Sequence, residues 1–385
     1  MKIVFLTDLR KHNRIVKSIN QTEGYLTTQV AFSYFEKGDQ SLTMSEKSQW
    51  GSKLGFILAS AGSVIGLGSV WKFPYMTAAN GGGGFLLIFL ISTILIGFPL
   101  LLAEFALGRS AGVSAIKTFG KLGKNNKYNF IGWIGAFALF ILLSFYSVIG
   151  GWILVYLGIE FGKLFQLGGT GDYAQLFTSI ISNPAIALGA QAAFILLNIF
   201  IVSRGVQKGI ERASKVMMPL LFIVLPQLFD KMPFGTIFYV LFLFATVTSS
   251  VVMLEINVGN ITNQDNSKRA KWSVILGILT FVFGIPSALS YGVMADVHIF
   301  GKTFFDAMNF LVPNLLMPFG ALYLSLFTGY IFKKALAMEE LHLDERAWKQ
   351  GLFQVWLFLL RFFVPSFQSS SWSSSPNLCN QKGLE

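Results

Sequence analysis

The chain has 385 residues, of which 53% are hydrophobic, 15% aromatic and only 13% charged. Soluble globular domains carry about 25% charged residues, so this composition excludes an ordinary soluble protein. It also excludes a disordered chain, which has low hydrophobicity, and a disulfide scaffold, because Cys379 is the single cysteine. The formal net charge of +11 is compatible with nucleic-acid binding until the positions of the basic residues are considered.

Seven uncharged stretches are long enough to cross a bilayer, whose hydrocarbon core needs about 20 apolar residues of helix. The sequence therefore predicts an all-α, polytopic membrane helical bundle. The predicted spans are 54–71, 84–103, 130–159, 173–203, 232–254, 272–295 and 307–332. Two further stretches, 216–229 and 350–360, are too short to cross comfortably, and Pro219 and Pro226 interrupt the first of them.

The basic residues are concentrated on one side of this predicted bundle. Sixteen Lys and Arg residues lie in four of its connections: 109–128, 204–215, 263–271 and 333–349. The opposite connections hold only Lys163, Lys231 and Lys302. The positive-inside rule therefore predicts a multi-pass cell-membrane protein with a cytoplasmic N-terminus. Since topology accounts for the charge, nucleic acid is not an expected partner.

Both ends of the chain differ from this pattern. Residues 1–43 have many charges and no apolar core region, so they predict a non-native or disordered extension before a natural start at Met44. At the other end, an apolar helix is expected to end at Pro365 and to be followed by a Ser-rich tail over 366–385. The membrane domain is therefore predicted to occupy 44–365.

One motif in the first span predicts a break in the helix. Residues 62–75 read GSVIGLGSVWKFPY, with three glycines in seven residues. Small residues commonly allow close helix packing in membranes. The alternative is an unwound segment whose carbonyls and amides bind a cation and a carboxylate. The following Lys72, the Phe-Pro pair and the glycine run 81–84 favour that alternative.

The stretch 50–109, with this motif, ANGGGGF and LLLAEFALGR, resembles the first two helices of the neurotransmitter:sodium symporter family, in its bacterial branch. The resemblance continues through SFYSVIGGW at 144–152, GIERASKVMMP at 209–219, LFATVTSSVVMLE at 243–255 and FFDAMNFLVPNLL at 304–316. It implies a five-plus-five inverted-repeat transporter with a broken first helix. It also implies sodium-coupled symport of amino acids or related amines by alternating access.

By this resemblance, sodium would be bound by the backbone carbonyls of Gly62, Ile65 and Ala245 and by the hydroxyls of Thr248 and Ser249. The spacing supports the last three independently, because positions i, i+3 and i+4 share one helix face. The alternative is that the two hydroxyls only bond back to carbonyls of their own helix. Sodium is the only metal expected, and no cofactor is.

The resemblance also implies a substrate site. The substrate carboxylate would meet the amides of Leu67 and Gly68 and the hydroxyl of Tyr146. Val64 would lie near the amino group, and Leu142 and Met253 would line the side-chain pocket. Glu104, an acid inside a span, is expected to be a buried polar anchor of the second helix.

Two gates are predicted to be weaker than in the family. The outer Arg–Asp pair corresponds to Lys72 and Asn309, and the inner pair corresponds to Lys47 and Asn263. Lysine donates to asparagine, but the bidentate Arg–carboxylate geometry cannot form at either gate.

The largest departure from the family follows Leu225, where its sixth and seventh helices are absent and the fold is therefore incomplete. The sixth is the second broken helix, which closes the substrate pocket. The alternative function is therefore a transport-inactive truncated membrane remnant, and uptake is expected to be absent or impaired. The sequence contains no zinc-ligand cluster, P-loop or nucleophile elbow, so no enzyme is predicted. It does not specify the substrate, the oligomeric state or chloride or proton coupling.

Overall fold

Helices form most of the computed structural model, which describes residues 51–66, 68–164, 173–227, 234–263, 265–343 and 347–373. The helices in the first part are α1 (Lys53–Val64), α2 (Phe73–Ala79), α3 (Gly83–Ser92), α4 (Phe98–Ala111), α5 (Ala115–Gly123), α6 (Asn129–Leu164), α7 (Tyr173–Ser182), α8 (Pro184–Ser203) and α9 (Arg212–Gln227). Those in the second are α10 (Phe234–Thr262), α11 (Arg269–Leu289), α12 (Phe304–Leu311), α13 (Met317–Leu326), α14 (Lys334–Glu340), α15 (Ala347–Phe358) and α16 (Val364–Ser373).

Shorter elements join these helices. Wider π-turns lie at Gly68–Lys72, Thr93–Gly97, Val206–Glu211, Val312–Leu316, Phe327–Ile331 and Leu359–Phe363, and 3₁₀ turns lie at Asn126–Tyr128 and Asn266–Lys268. Two short strands, β1 (His298–Ile299) and β2 (Lys302–Thr303), pair antiparallel, with His298 opposite Thr303.

Seven helical stretches are long and apolar enough to cross a membrane, which confirms the predicted all-α membrane bundle. They are Gly83–Ala111, Asn126–Gly162, Pro184–Ser203, Thr236–Thr262, Asn266–Leu289, Phe304–Ile331 and Lys349–Gln368. The set is not the predicted one, because 54–71 is absent from it and the region around 350–360 is included.

The last span was predicted too short because Arg361 ends its uncharged run. In the structure Arg361 Nε donates to the carbonyl oxygen of Gly329 at 2.7 Å, and its guanidinium lies 5.2 Å from the centre of the Tyr330 ring. A partnered arginine is tolerated inside a span. The expected helix end at Pro365 was also wrong, because α16 continues to Ser373. Proline removes one backbone N–H donor from a helix. It is tolerated here because the π-turn just before α16 already departs from regular α-helical hydrogen bonding.

Two other predicted spans are divided. The 54–71 stretch is helical only to Val64, so α1 is a 12-residue helix. The 173–203 stretch consists of α7 and α8, because Asn183 caps α8 by accepting hydrogen bonds from the amides of Ala185 and Ile186. Pro184 occupies the first turn of α8, where its missing N–H has no helical partner.

The centre of the bundle is formed by α6 and α10. In their most apolar stretches 67% and 56% of the residues are buried, against 6% for Gly83–Ala111, which is exposed to the surroundings of the bundle. α8, α10 and α11 pack against α6, while α1 packs against α9 and α10. Phe194, Val247 and Leu254 belong to the cluster of buried side chains at this junction. This packing places the 245–249 face of α10 beside the end of α1.

Candidate functional site

The first helix is broken after α1. Ile65 has φ −80° and ψ 76°, outside the helical region, and the chain resumes helical geometry in the π-turn Gly68–Lys72. Within the break the Gly66 amide donates to the carbonyl oxygen of Val64 at 3.0 Å. The hydroxyl of Ser69 donates to that same oxygen at 2.8 Å. The predicted break is confirmed, and it leaves the end of α1 facing α10 without a continuing helix.

Five oxygen-bearing residues meet between α1 and α10. The Thr248 hydroxyl lies 2.9 Å from the carbonyl oxygen of Gly62 and 3.1 Å from that of Ala245. The Ser249 hydroxyl lies 3.4 Å from the Gly62 oxygen, 3.0 Å from that of Ser63 and 3.1 Å from that of Ala245. Thr248 and Ser249 are both buried. Four of the predicted sodium-binding residues therefore lie together, with Ser63 in addition.

The two interpretations of these hydroxyls are both visible in the contacts. Thr248 does bond back to its own helix, at 2.9 Å from the Phe244 carbonyl oxygen, yet it also reaches α1. Ile65 is placed differently from the other predicted ligands. Its side chain packs against Leu241 and Ala245, and its carbonyl makes no hydrogen bond to either hydroxyl in the described chain.

Gly66 is a residue of this region that the sequence analysis did not assign. A Cβ added to it would clash with the hydroxyl oxygen of Ser249 and lie 3.0 Å from that of Tyr146. Glycine is therefore required by close approach to both groups. The signal in the sequence was its position as the middle glycine of GSVIGLG.

We expect Gly66→Ala to weaken sodium binding by at least about tenfold, because the added methyl group displaces the Ser249 hydroxyl from the oxygen cluster. The measurement is the sodium concentration that gives half of the sodium-dependent rise in melting temperature. Gly189→Ala is the matched control, since a Cβ there meets no atom within 4 Å. An unchanged half-maximal concentration in Gly66→Ala would show that this close approach has no bearing on the cation.

A cavity of about 700 Å³ adjoins the break. Gly68, Leu142 and Tyr146, three of the predicted substrate-binding residues, line it, and so do Lys72 and Asn309 of the predicted outer gate. A volume of this size suits a small-molecule ligand. The structure thus gathers five separately predicted residues from three parts of the sequence around one space.

The remaining predicted substrate residues lie elsewhere or cannot be placed. Val64 is 72% exposed and does not line the cavity as described. Met253 is half-buried, also outside the cavity wall, and packs against the cluster that contains Tyr146. Leu67 lies outside the described residues.

An aromatic wall of the cavity was missed by the sequence analysis. Trp152, Tyr291 and Phe305 line it, with the Trp152 ring centre 5.6 Å from that of Phe305 and 6.3 Å from that of Tyr291. The indole N–H of Trp152 is buried and has no hydrogen-bond partner in the described chain. Trp152 ended a motif used for the resemblance, so its position was visible, but its contacts depend on the turn after α11 and on α12.

The outer-gate residues Lys72 and Asn309 face the same cavity, but no hydrogen bond joins them in the described chain. The acid of this region is Asp306, one helical turn before Asn309. Its carboxylate accepts from Thr303 at 2.7 Å and from the Tyr291 hydroxyl at 3.1 Å. Burial and the neighbouring Asp306 charge raise the pKa of Tyr291.

The predicted inner gate, Lys47 with Asn263, is not tested by the described residues, and a contact that was not predicted lies at the start of α1. Lys47 lies outside the described residues, and Asn263 is exposed with φ 53° after the end of α10. The start of α1 is instead held by Glu211, which accepts from the Gly51 amide and the Ser52 hydroxyl, both at 2.7 Å. The Lys215 ammonium group forms an ion pair with the same carboxylate, with an N–O distance of 2.7 Å. Glu211 lay in the quoted motif GIERASKVMMP, but its partners are about 160 residues away in the sequence.

Glu211 should make stability depend on pH in the acid range. Hydrogen bonds from Lys215 and Ser52 lower its pKa from 4.5 to about 2. A carboxyl whose pKa is lower in the folded state stabilises the fold above its unfolded pKa, and this contribution is lost as the pH falls from 4.5 towards 2. We expect Glu211→Gln to destabilise the protein by about 2 kcal/mol at neutral pH and to flatten this acid dependence.

Melting temperatures measured between pH 7 and pH 3 check this expectation. Glu339→Gln removes an exposed carboxyl and should retain the wild-type pH profile. If Glu211→Gln also kept that profile, the acid sensitivity would arise from other carboxyl groups.

Comparisons with known proteins place the chain among sodium-dependent transporters. The model of a family described as the sodium:neurotransmitter symporter family matches residues 47–166. An uncharacterized sodium-dependent transporter of Bacillus subtilis, YhdH, is 38% identical over 437 aligned positions, covering 84% of this chain and 96% of the relative. That alignment has more positions than this chain has residues, so the relative contains positions without a counterpart here.

Two further proteins extend the comparison. A sodium-dependent neutral amino acid transporter, B(0)AT2 of Rattus norvegicus, is 37% identical over 123 residues, which are 32% of this chain and 17% of that one. The crystal structure of MhsT in complex with L-phenylalanine superposes with a TM-score of 0.76 at 28% identity. This superposition covers 86% of this chain and 100% of MhsT.

Proposed function

This chain belongs to the sodium:neurotransmitter symporter family, and we propose that it binds sodium between α1 and α10 and couples it to transport of an amino acid or related amine. The observation that carries the proposal is the convergence of the Thr248 and Ser249 hydroxyls on the Gly62 carbonyl, beside the break in α1. The proposed sodium site and the proposed substrate cavity both adjoin that break.

The chemistry of the oxygen cluster suits a monovalent hard cation. Its ligands are neutral carbonyls and hydroxyls, and no group of three or more His, Cys, Asp or Glu side chains is found in the described chain. Sites for transition metals favour imidazole or thiolate ligands, whereas sodium in transporters is coordinated by unwound backbone carbonyls. Gly62, Ala245, Thr248 and Ser249 are the proposed ligands. Ile65 remains a predicted fifth ligand that would need its carbonyl to turn towards the cluster.

The cavity beside the break is the proposed substrate site. The amides of Leu67 and Gly68 and the Tyr146 hydroxyl would hold the substrate carboxylate, with Leu142 against the side chain. The free indole N–H of Trp152 adds a donor in the aromatic wall. Val64 would contribute near the amino group and Met253 to the side-chain pocket only after the surrounding segment moves, because neither lines the cavity.

Coupling between ion and substrate is proposed to pass through the break itself. Gly66 packs so closely that an added Cβ would meet the hydroxyls of both Ser249 and Tyr146. A cation that fixes the carbonyls of α1 therefore also orders the segment carrying the substrate-binding amides. An ion that binds one conformation better shifts the population towards it, which favours the substrate-competent state.

The substrate class is proposed to be amino acids with apolar or aromatic side chains. Phe145, Trp152, Tyr291 and Phe305 give the cavity an aromatic lining. Among the related proteins, MhsT is in complex with L-phenylalanine and B(0)AT2 is a neutral amino acid transporter. No enzymatic activity is proposed, because the family is one of transporters.

The proposed orientation places the four basic connections in the cytoplasm, with the N-terminus on that side of the cell membrane. Arg109 pairs with Glu340 at 3.2 Å, which brings the 109–128 and 333–349 connections to the same end of the bundle. The Glu211 contacts likewise bring the start of α1 to the 204–215 connection. The positive-inside rule assigns this end to the cytoplasm.

The comparisons favour the symporter over the transport-inactive remnant. We infer, as a division that stays a prediction, an extension over 1–43, a transporter domain over 44–365 and a tail over 366–385, although α16 continues past residue 365 to Ser373. The family's sixth and seventh helices are inferred to be absent after Leu225. The alignment longer than this chain, and the six residues that separate α9 from α10, support this inference. Sodium-driven uptake into proteoliposomes tests the function.

A further inference from the structure

A second cavity, of about 580 Å³, lies away from the proposed transport site. Its lining comes from α4, α5, α6, α10 and α13, and includes only a few polar side chains, among them Glu104 and Asn260. Met317 is shared with the lining of the first cavity, but Thr248, Ser249 and Tyr146 are not part of this second wall. It has the size of a small-molecule site and no role in the function proposed above.

Glu104 was expected to be a buried polar anchor, and this expectation was wrong. Its side chain is exposed and lines the cavity, and no hydrogen bond or ion pair to it is found in the described chain. Glu104 lies within the span Gly83–Ala111. A carboxyl group at this depth is energetically unfavourable without a partner, so such residues generally mark a binding or transport pathway.

Asn260, on the same wall, carries a second polar group without a hydrogen-bond partner in the described chain. Its side-chain Nδ2 is buried and has no hydrogen-bond partner in the described residues. It belongs to the span Thr236–Thr262, on a different helix from Glu104. A buried amide that lacks its acceptor is energetically unfavourable, but this Nδ2 has almost no accessible surface, so a ligand in the cavity does not reach it. Glu104 is therefore the charged group that the cavity offers to a ligand among its mainly apolar walls.

Small residues keep this space open. Gly108, Gly132, Gly135, Gly320 and Ala321 line the cavity. A Cβ added to Gly135 would meet no atom within 4 Å, so the chain itself leaves room for a larger group at this point. The remaining wall includes Leu100, Leu107 and Leu139. Such walls would contact an apolar body of the ligand.

We propose that this cavity binds a hydrophobic organic cation, a protonated amine with an apolar body, whose ammonium group pairs with Glu104. A cation is favoured over a neutral ligand because a carboxylate in a low-dielectric site forms its strongest contact with a positive charge. The site is separate from the transport cavity and does not depend on the proposed symport.

Binding of radiolabelled 2-phenoxyethylammonium to the purified full chain in detergent tests the proposal. This probe has an ammonium group, an ether oxygen and an aromatic ring, and 2-phenoxyethanol is its neutral analogue. Wild-type protein should bind the cation saturably. Glu104→Gln, which keeps the side-chain shape, should weaken binding at least about tenfold, equivalent to about 1.4 kcal/mol. Excess 2-phenoxyethanol should compete poorly.

Three further variants locate the site. Gly135→Phe should block binding by filling the cavity, whereas Gly158→Phe, on the same helix at another open glycine outside the lining, should bind as wild type. Asp306→Asn removes the carboxylate of the transport cavity and should leave the affinity within about twofold. Full binding by Glu104→Gln or Gly135→Phe, or loss of binding in Asp306→Asn, would overturn the proposal. So would equal competition by the neutral analogue.

Discussion

Sodium chloride, unlike potassium chloride, is expected to raise the melting temperature of the purified protein, and the double variant Thr248→Ala/Ser249→Ala is expected to lose this difference. Ligand bound only to the folded state stabilises it by RT ln(1 + [L]/Kd), about 2.7 kcal/mol when sodium is at 100 times its Kd. The two hydroxyls supply the side-chain oxygens of the cluster that faces the Gly62 carbonyl. Removing both leaves only backbone oxygens.

Thr246→Ala is the control for this experiment. Thr246 is buried on the same helix, and its hydroxyl bonds back to the Phe242 carbonyl oxygen at 2.6 Å without reaching α1. This variant should lower the melting temperature in both salts but keep the difference between them. Equal melting of the wild-type protein in sodium and potassium would refute the cation site, whatever the variants do.

The second large effect is expected in transport. Proteoliposomes with the wild-type chain should accumulate labelled L-phenylalanine when a sodium gradient is imposed, and Tyr146→Phe should reduce the initial rate at least about tenfold. A hydrogen bond to a charged group contributes about 1.5–3 kcal/mol, and the Tyr146 hydroxyl is the proposed donor to the substrate carboxylate. Tyr330→Phe, a 58% exposed tyrosine outside the cavity, should transport as wild type.

The uptake experiment also separates the two functions that the sequence left open. Sodium-dependent binding of L-phenylalanine without uptake would support a transport-inactive remnant that keeps the first broken helix but does not complete alternating access. Uptake that persists in Tyr146→Phe would support symport but contradict the assigned carboxylate site. Because binding and uptake are measured on the same preparation, failure to fold is distinguished from failure to transport.

Much of the proposed cation site was predictable from local sequence. The 245–249 spacing places three groups on one face of α10, because side chains three and four residues apart share a face of any α-helix. The glycines of GSVIGLG likewise predict a break at a definite place in the chain. Partners across helices were available only through the family resemblance, which correctly paired Gly62 with Thr248 and Ser249.

Element boundaries were less predictable where a charge or proline is accommodated by a neighbour. Arg361 ended an uncharged run in the sequence, yet the Gly329 carbonyl accepts its hydrogen bond and the span continues. The sequence could not indicate this acceptor, which lies 32 residues earlier on another helix. Glu211 was missed for the same reason, since Gly51 and Ser52 are its partners.

The amino-acid sequence by itself determined that this protein is a multi-pass helical bundle with a broken first helix, because length, hydropathy and glycine spacing act locally along the chain. The tertiary structure decided which predicted residues share a space. It placed Gly66 against Ser249 and Tyr146, built the aromatic wall from α6, α12 and the turn after α11, and left Glu104 lining a cavity without a partner in the described chain. Such contacts depend on the packing of distant segments, and no local periodicity encodes that packing.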